Sequence, residues 1–380
     1  MRLKRTIFIV SLCILFLVCY MQMASKIDPF ARYSYINEDN EEIIRKYITN
    51  PNDIDYIISL KIEPSQFLEF IEFPDFKVKN ILYYETCKKY RPIDNREIVK
   101  FVNEYRNNYS VANFELIIQN YEYETLKDYF DNGYAYFEDA DIVENPSRLS
   151  LIFDSDDVVL DYTPIDLLAV ESTLVQIMPS IEGKDTIYLR EGAYNALKDM
   201  MEAFAQEDYE LYRALVLTNG YISYEEQVTL YEAASQKYDE DLIAAIAIKK
   251  QEEHNESQED SKDTEEQEVE VSEEEKIAQK AETLNKIIDL PGRSENQLGY
   301  TIMLKINGFN DIEDIKKSEQ YKWLSEHAHK YGYIFRYPED KEGVTGKTYQ
   351  VLTLRYVGVD NAKEVHNTQK AFDEIKAKDE

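Results

Sequence analysis

The sequence predicts an α+β protein with a helical leading part, and three observations carry that prediction. Up to about residue 150, apolar residues recur at three- and four-residue spacing in short pieces broken by prolines, the pattern of small packed helices. Beyond it, an alternating run such as 300–306 is mixed with helical runs such as 319–331, with no regular strand–helix–strand order, so strands and helices segregate as in an α+β domain. A chain of 380 residues with 44% hydrophobic content has room for two domains with real cores.

The elements follow in order. Arg2, Lys4 and Arg5 precede an apolar run over residues 7–23. Basic residues before such a run orient it with the following chain outside the cytoplasm. The run is close to the lower limit of a spanning helix, roughly 17 residues. Met23-Ala24-Ser25 is a poor cleavage site and Phe16-Leu17-Val18-Cys19 a poor lipoprotein box. Residues 1–26 therefore read as an uncleaved single-pass signal anchor in the cell membrane, with a cleaved signal peptide and secretion as the alternative.

Residues 27–150 read as a helical module. Residues 41–48 form a short amphipathic helix. Asn52 or Asp53 is placed to cap the next, with Ile54, Ile57 and Ile58 on one face, and Ser65 a third, with Phe67, Leu68 and Ile71. Pro51, Pro64, Pro74 and Pro92 separate the pieces, which are too short to be stable alone and must pack on one another. Cys13 and Cys19 lie in the apolar run and Cys87 stands alone, so no disulfide framework exists; Cys87 reads as a helix packing residue.

Residues 151–380 read as the α+β domain. Ala193, Leu197, Met200, Met201 and Phe204 make one apolar helix face. Residues 214–218 form a short buried strand, Asn219-Gly220 a turn, and Ser223 caps a helix to about Tyr238. The stretch at about 249–275 is rich in Glu, Asp, Gln and Ser, has no aromatic residue, and is expected to be a disordered insertion. Strands at 300–306, 333–337 and 349–357 and helices at 319–331 and 361–375 complete the domain.

The net charge of −31 argues against nucleic acid as a partner. No glycine-rich phosphate loop and no Gly-x-Ser-x-Gly motif is present. The many carboxylates show no spaced calcium loop. Of the 4 His, His254 lies in the acidic stretch and His366 on the closing helix; His327 and His329, two apart, do not share a helix face and are poor joint ligands.

Four ordered blocks carry a resemblance. They are Asn219-Gly220-Tyr221-Ile222-Ser223-Tyr224 with Gln227 and Tyr231; Pro291-Gly292-Arg293-Ser294-Glu295-Asn296-Gln297-Leu298-Gly299; Trp323-Leu324 with His327 through Pro338; and Leu354-Arg355-Tyr356-Val357-Gly358. Together they resemble the VanY-type zinc D-alanyl-D-alanine carboxypeptidases over roughly the C-terminal half of the chain, a VanY/Hedgehog-like fold. Residues 98–114 and the Pro-x-Asp-Leu element at Pro164 resemble the segments that precede such domains.

The resemblance implies a zinc held by His and Asp of Ser-x-His-x-x-Gly-x-Ala-x-Asp and by the His of Glu-x-x-His, whose Glu is the general base. At those positions this chain has Asn296, Met303 and Thr353, with Gln350 at the base. Ile222 replaces the Arg expected to grip the substrate carboxylate. Tyr221, Ser223, Gln227, Ser294, Gly299, Arg355 and Tyr356 are retained. Amide, thioether and hydroxyl groups are poor substitutes for zinc ligands, and Gln cannot act as a base at neutral pH. The expectation is a degenerate family member that needs no cofactor. It would bind or scaffold at the cell envelope, with peptidoglycan or an envelope protein as partner. The alternative is an active D,D-carboxypeptidase with altered ligands.

Overall fold

The computed structural model describes residues 2–24, 28–256 and 273–379. The chain divides into two compact units, Met1–Gln119 and Asn120–Glu380.

The first unit is helical. Its helices are α1 (Arg2–Ala24), α2 (Glu41–Tyr47), α3 (Pro51–Ser59), α4 (Ile81–Tyr90), α5 (Asn95–Tyr105) and α6 (Val111–Asn120, whose last residue falls in the second unit). Ile44, Ile54, Ile57, Phe67, Ile71 and Ile81 form one core between the short helices, which is how pieces of under three turns become stable. The cap of α3 is Asn50, two residues earlier than expected; it accepts the N–H of Asn52, and Pro51 takes the first helical position. The helix expected after Ser65 is a single 3-10 turn at Pro64–Gln66, where the Gln66 side chain bonds the Glu63 N–H. Phe67 and Ile71 are buried there all the same, so their spacing reported burial and not helix. Cys87 is buried on α4. The described side chains of α1 are those of 9–20, and Ile9, Leu12, Leu15 and Phe16 among them are exposed. Among the described residues no helix is long and apolar enough to cross a membrane.

The second unit begins with α7 (Tyr123–Asn132), β1 (Asp141–Ile142), β2 (Asp157–Val158), β3 (Leu167–Ala169), β4 (Gln176–Ile177) and β5 (Tyr188–Arg190). Then come α8 (Glu191–Glu207), α9 (Tyr209–Tyr212), β6 (Leu215–Asn219), α10 (Tyr224–Glu256), α11 (Glu273–Ile287) and β7 (Thr301–Ile306). It closes with α12 (Ile312–Lys317), α13 (Glu319–His327), β8 (Tyr333–Phe335), α14 (Glu342–Thr345), β9 (Thr353–Tyr356) and α15 (Val359–Thr368). The main sheet has the order β4-β6-β7-β9-β8, antiparallel except for the β4–β6 pair. This is the expected α+β domain.

The α8 face is buried as its spacing predicts, and Phe204 stacks on Trp323 of α13 with ring centroids 4.1 Å apart. Ile302, Leu304 and Ile306 of β7 are buried, as alternation requires.

Several boundaries differ from expectation, among them the strands expected at 333–337 and 349–357, which are β8 and β9, and the helix expected at 319–331, which ends at His327. Residues 120–150 belong to the second unit and not to the helical module. Asp141 pairs with Asp157 in a parallel ladder, and Tyr134 donates its hydroxyl to the Pro291 carbonyl. The helix expected to stop near Tyr238 continues to Glu256, because Glu, Lys, Gln and Ala are strong helix formers. The stretch expected to be disordered over 249–275 is thus helical at both edges, and 257–272 lie outside the described residues. The closing helix ends at Thr368, where Gln369 turns left-handed (φ 55°), and a 3-10 turn follows.

Candidate functional site

The main sheet lines up three of the side chains in question. In register, Asn219 of β6 faces Met303 of β7, which faces Thr353 of β9. Gln350 lies in the loop before β9, and its Oε1 accepts the Thr353 hydroxyl at 2.8 Å. Asn296 sits in a 3-10 turn, Glu295–Leu298, which Ser294 caps by accepting the Asn296 N–H and Gly299 closes at φ +75°. A Cβ on Gly299 would stand 2.8 Å from Arg190 Cγ, so glycine is required there on both counts. The Asn296 carbonyl accepts the N–H of Ile222, which ties that turn to the end of β6. The structure therefore brings Ile222, Asn296, Met303, Gln350 and Thr353 together around one cavity of about 180 Å³.

Of the retained residues Gln227 lines this cavity, and the others bond or pack within the segments around it. Ser223 caps α10 by accepting the Glu226 N–H, while the Glu226 carboxylate accepts the Ser223 N–H, a capping box. Gln227 donates to the Asp289 carbonyl at 2.7 Å, and the Ser294 hydroxyl donates to the Asp289 carboxylate at 3.0 Å. The Tyr221 hydroxyl donates to Thr163. Tyr356 packs edge-on against Tyr333.

Arg355 is buried and donates to the carbonyls of Leu149 and Leu151. It also faces Glu295 at 2.9 Å, and Arg336 meets the same carboxylate at 2.7 Å and Asp373 at 2.5 Å. Burial alone would raise the Glu295 carboxyl, but Arg336 and Arg355 outweigh it and bring it down to about 2. Glu295, Arg336 and Arg355 come from three different blocks of the resemblance. Sequence reasoning did not find this cluster, although a Glu and two Arg within the matched motifs were its signal.

A second ion pair spans the cavity edge: Lys347 Nζ lies 2.6 Å from Asp289 and also donates to the carbonyls of Asn285 and Ile288. Elsewhere, His327 stacks on Trp323 and His329 on His366, the latter pair 3.6 Å apart, so His327 and His329 do face different partners. The side chain of His254 lies outside the described residues.

The donor set does not fit a catalytic zinc. Such a site takes about three ligands from His, Cys, Asp or Glu. Here Met303 Sδ accepts Asn219 Nδ2 at 3.5 Å, and the Thr353 hydroxyl is engaged with Gln350. Among the described residues, no group of three His, Cys, Asp or Glu side chains is placed to hold a metal ion.

Residues 186–359 match the family model VanY, D-alanyl-D-alanine carboxypeptidase. The carboxypeptidase-like protein YodJ of Bacillus subtilis (strain 168) is 28% identical over 261 residues, 67% of this chain and 77% of that protein. A D-alanyl-D-alanine carboxypeptidase of Enterococcus faecalis (strain ATCC 700802 / V583) is 34% identical over 80 residues, 21% of this chain and 28% of that protein. Among solved structures, the LdcB LD-carboxypeptidase is similar at 24% identity and a TM-score of 0.44, covering 64% of this chain and 89% of that one. The block that surrounds the cavity, residues 186–359, thus belongs to the VanY family of D-alanyl-D-alanine carboxypeptidases.

Proposed function

We propose that this chain is a non-catalytic VanY-type protein of the cell envelope, which binds cell-wall material or an envelope protein without cleaving it. One observation carries the reading. The five positions at which the family resemblance expects ligands, base and carboxylate grip meet around a single cavity, and none holds a group that can do that work. Hydrolysis by this family's chemistry needs a metal to lower the pKa of water and a carboxylate to take its proton. Gln350 offers an amide that already accepts from Thr353. The surroundings of the cavity survive because Ser223, Gln227, Ser294, Glu295 and Arg355 hold the fold, and a binding surface needs a fold.

Peptidoglycan is the favoured partner, because relatives are named D-alanyl-D-alanine carboxypeptidases. The exposed apolar side chains of α1, preceded by Arg2, Lys4 and Arg5, support a membrane anchor with the acidic bulk outside. Protease added to intact protoplasts should then remove the bulk of the chain, and full protection would count against the anchor.

The test of the main reading uses the full-length protein. It should co-sediment with purified sacculi and release no D-alanine from a peptide ending in D-Ala-D-Ala, with or without added zinc. Zinc-dependent release would establish the alternative, an active carboxypeptidase with altered ligands.

A further inference from the structure

The His329 and His366 rings stack nearly parallel, with 3.6 Å between centroids and 12° between planes. His329 lies in the 3-10 turn Ala328–Tyr331 that follows α13, and His366 in the last turn of α15. Beyond this stack, α15 is held by a small apolar cluster in which Ala362 and Val365 meet Ile334, Val357 and Phe372. Ile334 belongs to β8, an edge of the main sheet. So small a cluster at a sheet edge is the kind of unit that opens before the rest of a fold does.

The stack suits uncharged rings. His329 Nδ1 is buried and has no hydrogen-bond partner among the described residues. An imidazolium carries N–H on both nitrogens, so a charged His329 would bury an N–H without an acceptor. One proton on His366 is tolerated, since a cation over an aromatic face is attracted to it. A second proton sets two cations face to face, and like charges at that separation repel.

The surrounding charges make the second proton harder to add. Lys330 follows His329 in the turn, His327 ends α13, and Lys363 stands one turn before His366 on α15. Burial, then His366, Lys330, His327 and Lys363, hold the His329 imidazole below its ordinary value of 6.5. A cavity of about 430 Å³ adjoins both rings, and its other charged side chains do not offset this. There Glu339 is paired with Lys316 and Lys341 with Glu374, while Lys370 adds a cation and Glu326 one carboxylate. Burial keeps the Tyr333 and Tyr349 hydroxyls protonated. On the α8 side the carboxylates of Asp199 and Glu207 act on Tyr331, and Glu207 accepts the Trp323 Nε1–H.

We propose that the His329–His366 stack is an acid-released clasp: with at most one ring protonated it holds α15 against the turn, and with both protonated it lets α15 go and uncovers Ile334 and Val357. The stabilisation is fully present above 6.5 and is lost as pH falls through the depressed His329 value. That window lies above the one in which Glu295, brought down to about 2, takes up its proton, so the two acid responses separate. The clasp rests on neither a catalytic nor a non-catalytic reading of the chain.

The experiment is amide hydrogen exchange of the full-length protein in detergent micelles from about pH 7.5 to about pH 5, corrected for the intrinsic pH dependence of exchange. Residues 359–368 should exchange about tenfold faster per pH unit within the window, the linkage slope for one proton taken up on opening. β7 should stay protected throughout. Unchanged protection of 359–368, or an equal loss in β7, overturns the proposal. The imidazole resonances give a second readout: His329 and His366 should titrate as a coupled pair in two separated steps. The chain has 4 His, so His329→Phe and His366→Phe assign the two signals. Each variant keeps a ring in the stack and removes one charge, so each alone should abolish the pH response of 359–368. A response that persists in either variant, or a single unsplit titration of the two rings, overturns the proposal.

Discussion

The sulfur of Met303 accepts the side-chain N–H of Asn219, 3.5 Å away across the β6–β7 pair. Met303 stands where the family resemblance expects a carboxylate ligand, and its neighbours have adjusted: an amide on one strand and a hydroxyl on the next, both satisfied without a metal. The full-length protein should therefore carry no stoichiometric zinc by elemental analysis. Met303→Asp alone should lower the melting temperature, because it sets an unpaired carboxylate near Asp289 and Glu295. Only a joint change, Asn296→His, Met303→Asp, Thr353→His, Gln350→Glu and Ile222→Arg, should restore zinc and D-alanine release, since ligands and base act as a unit. One tightly held zinc per chain in the unaltered protein would contradict the first expectation.

Glu295 should matter to stability and not to chemistry. Replacing it with Gln leaves Arg336 and Arg355 buried without their shared counter-charge, a change worth about 3–5 kcal/mol in comparable sites. Urea unfolding should show that loss. The same carboxylate makes the fold acid-sensitive. Its value is depressed from 4.5 to about 2 in the folded protein, so the stabilisation is fully present above 4.5 and disappears as pH falls toward 2. Glu295→Gln should flatten that part of the stability–pH profile; an unchanged profile would show that other carboxylates govern acid unfolding.

Gly220 illustrates a constraint of space. A Cβ there would lie 2.7 Å from both Ile187 Cγ2 and the Tyr188 carbonyl oxygen. The chain approaches β5 this closely because Tyr221 N–H bonds the same carbonyl at 2.8 Å. Gly220→Ala should destabilise by about 1–3 kcal/mol, the usual cost of overpacking, and thermal unfolding will measure it. A neutral result would mean that β5 can move aside.

The sequence made some of this legible and hid the rest for physical reasons. Apolar periodicity located α8 and β7 because burial itself creates that pattern. The five cavity positions were found because spacing inside a motif survives when residue identity does not. Helix ends were missed where local chemistry and tertiary packing compete: Pro51 moved a cap, and strong helix formers carried α10 past the apolar pattern. The Glu295 cluster and the His329–His366 stack join residues far apart in sequence, which no local pattern reports. Asn219-Gly220, read as a turn, is better described as a close approach to β5.

Lys347 provides the last prediction, because its role could be mistaken for ligand binding. It lines the cavity and is cationic, which would suit a carboxylate. Its ammonium, however, is taken up by the carbonyls of Asn285 and Ile288 and by Asp289, at and just beyond the C-terminal end of α11. Helix ends leave carbonyls unsatisfied, and a cation there both completes hydrogen bonds and opposes the helix dipole. Lys347→Met should therefore loosen the end of α11 at a cost of about 1–3 kcal/mol, the range for a charged hydrogen-bonding group. Amide hydrogen exchange should rise over 284–288, with little change across β7. Affinity for a free-acid peptide should not fall, since no carboxylate is gripped by this residue. A variant that keeps its exchange pattern but loses peptide binding would reassign Lys347 from the frame of the cavity to its ligand.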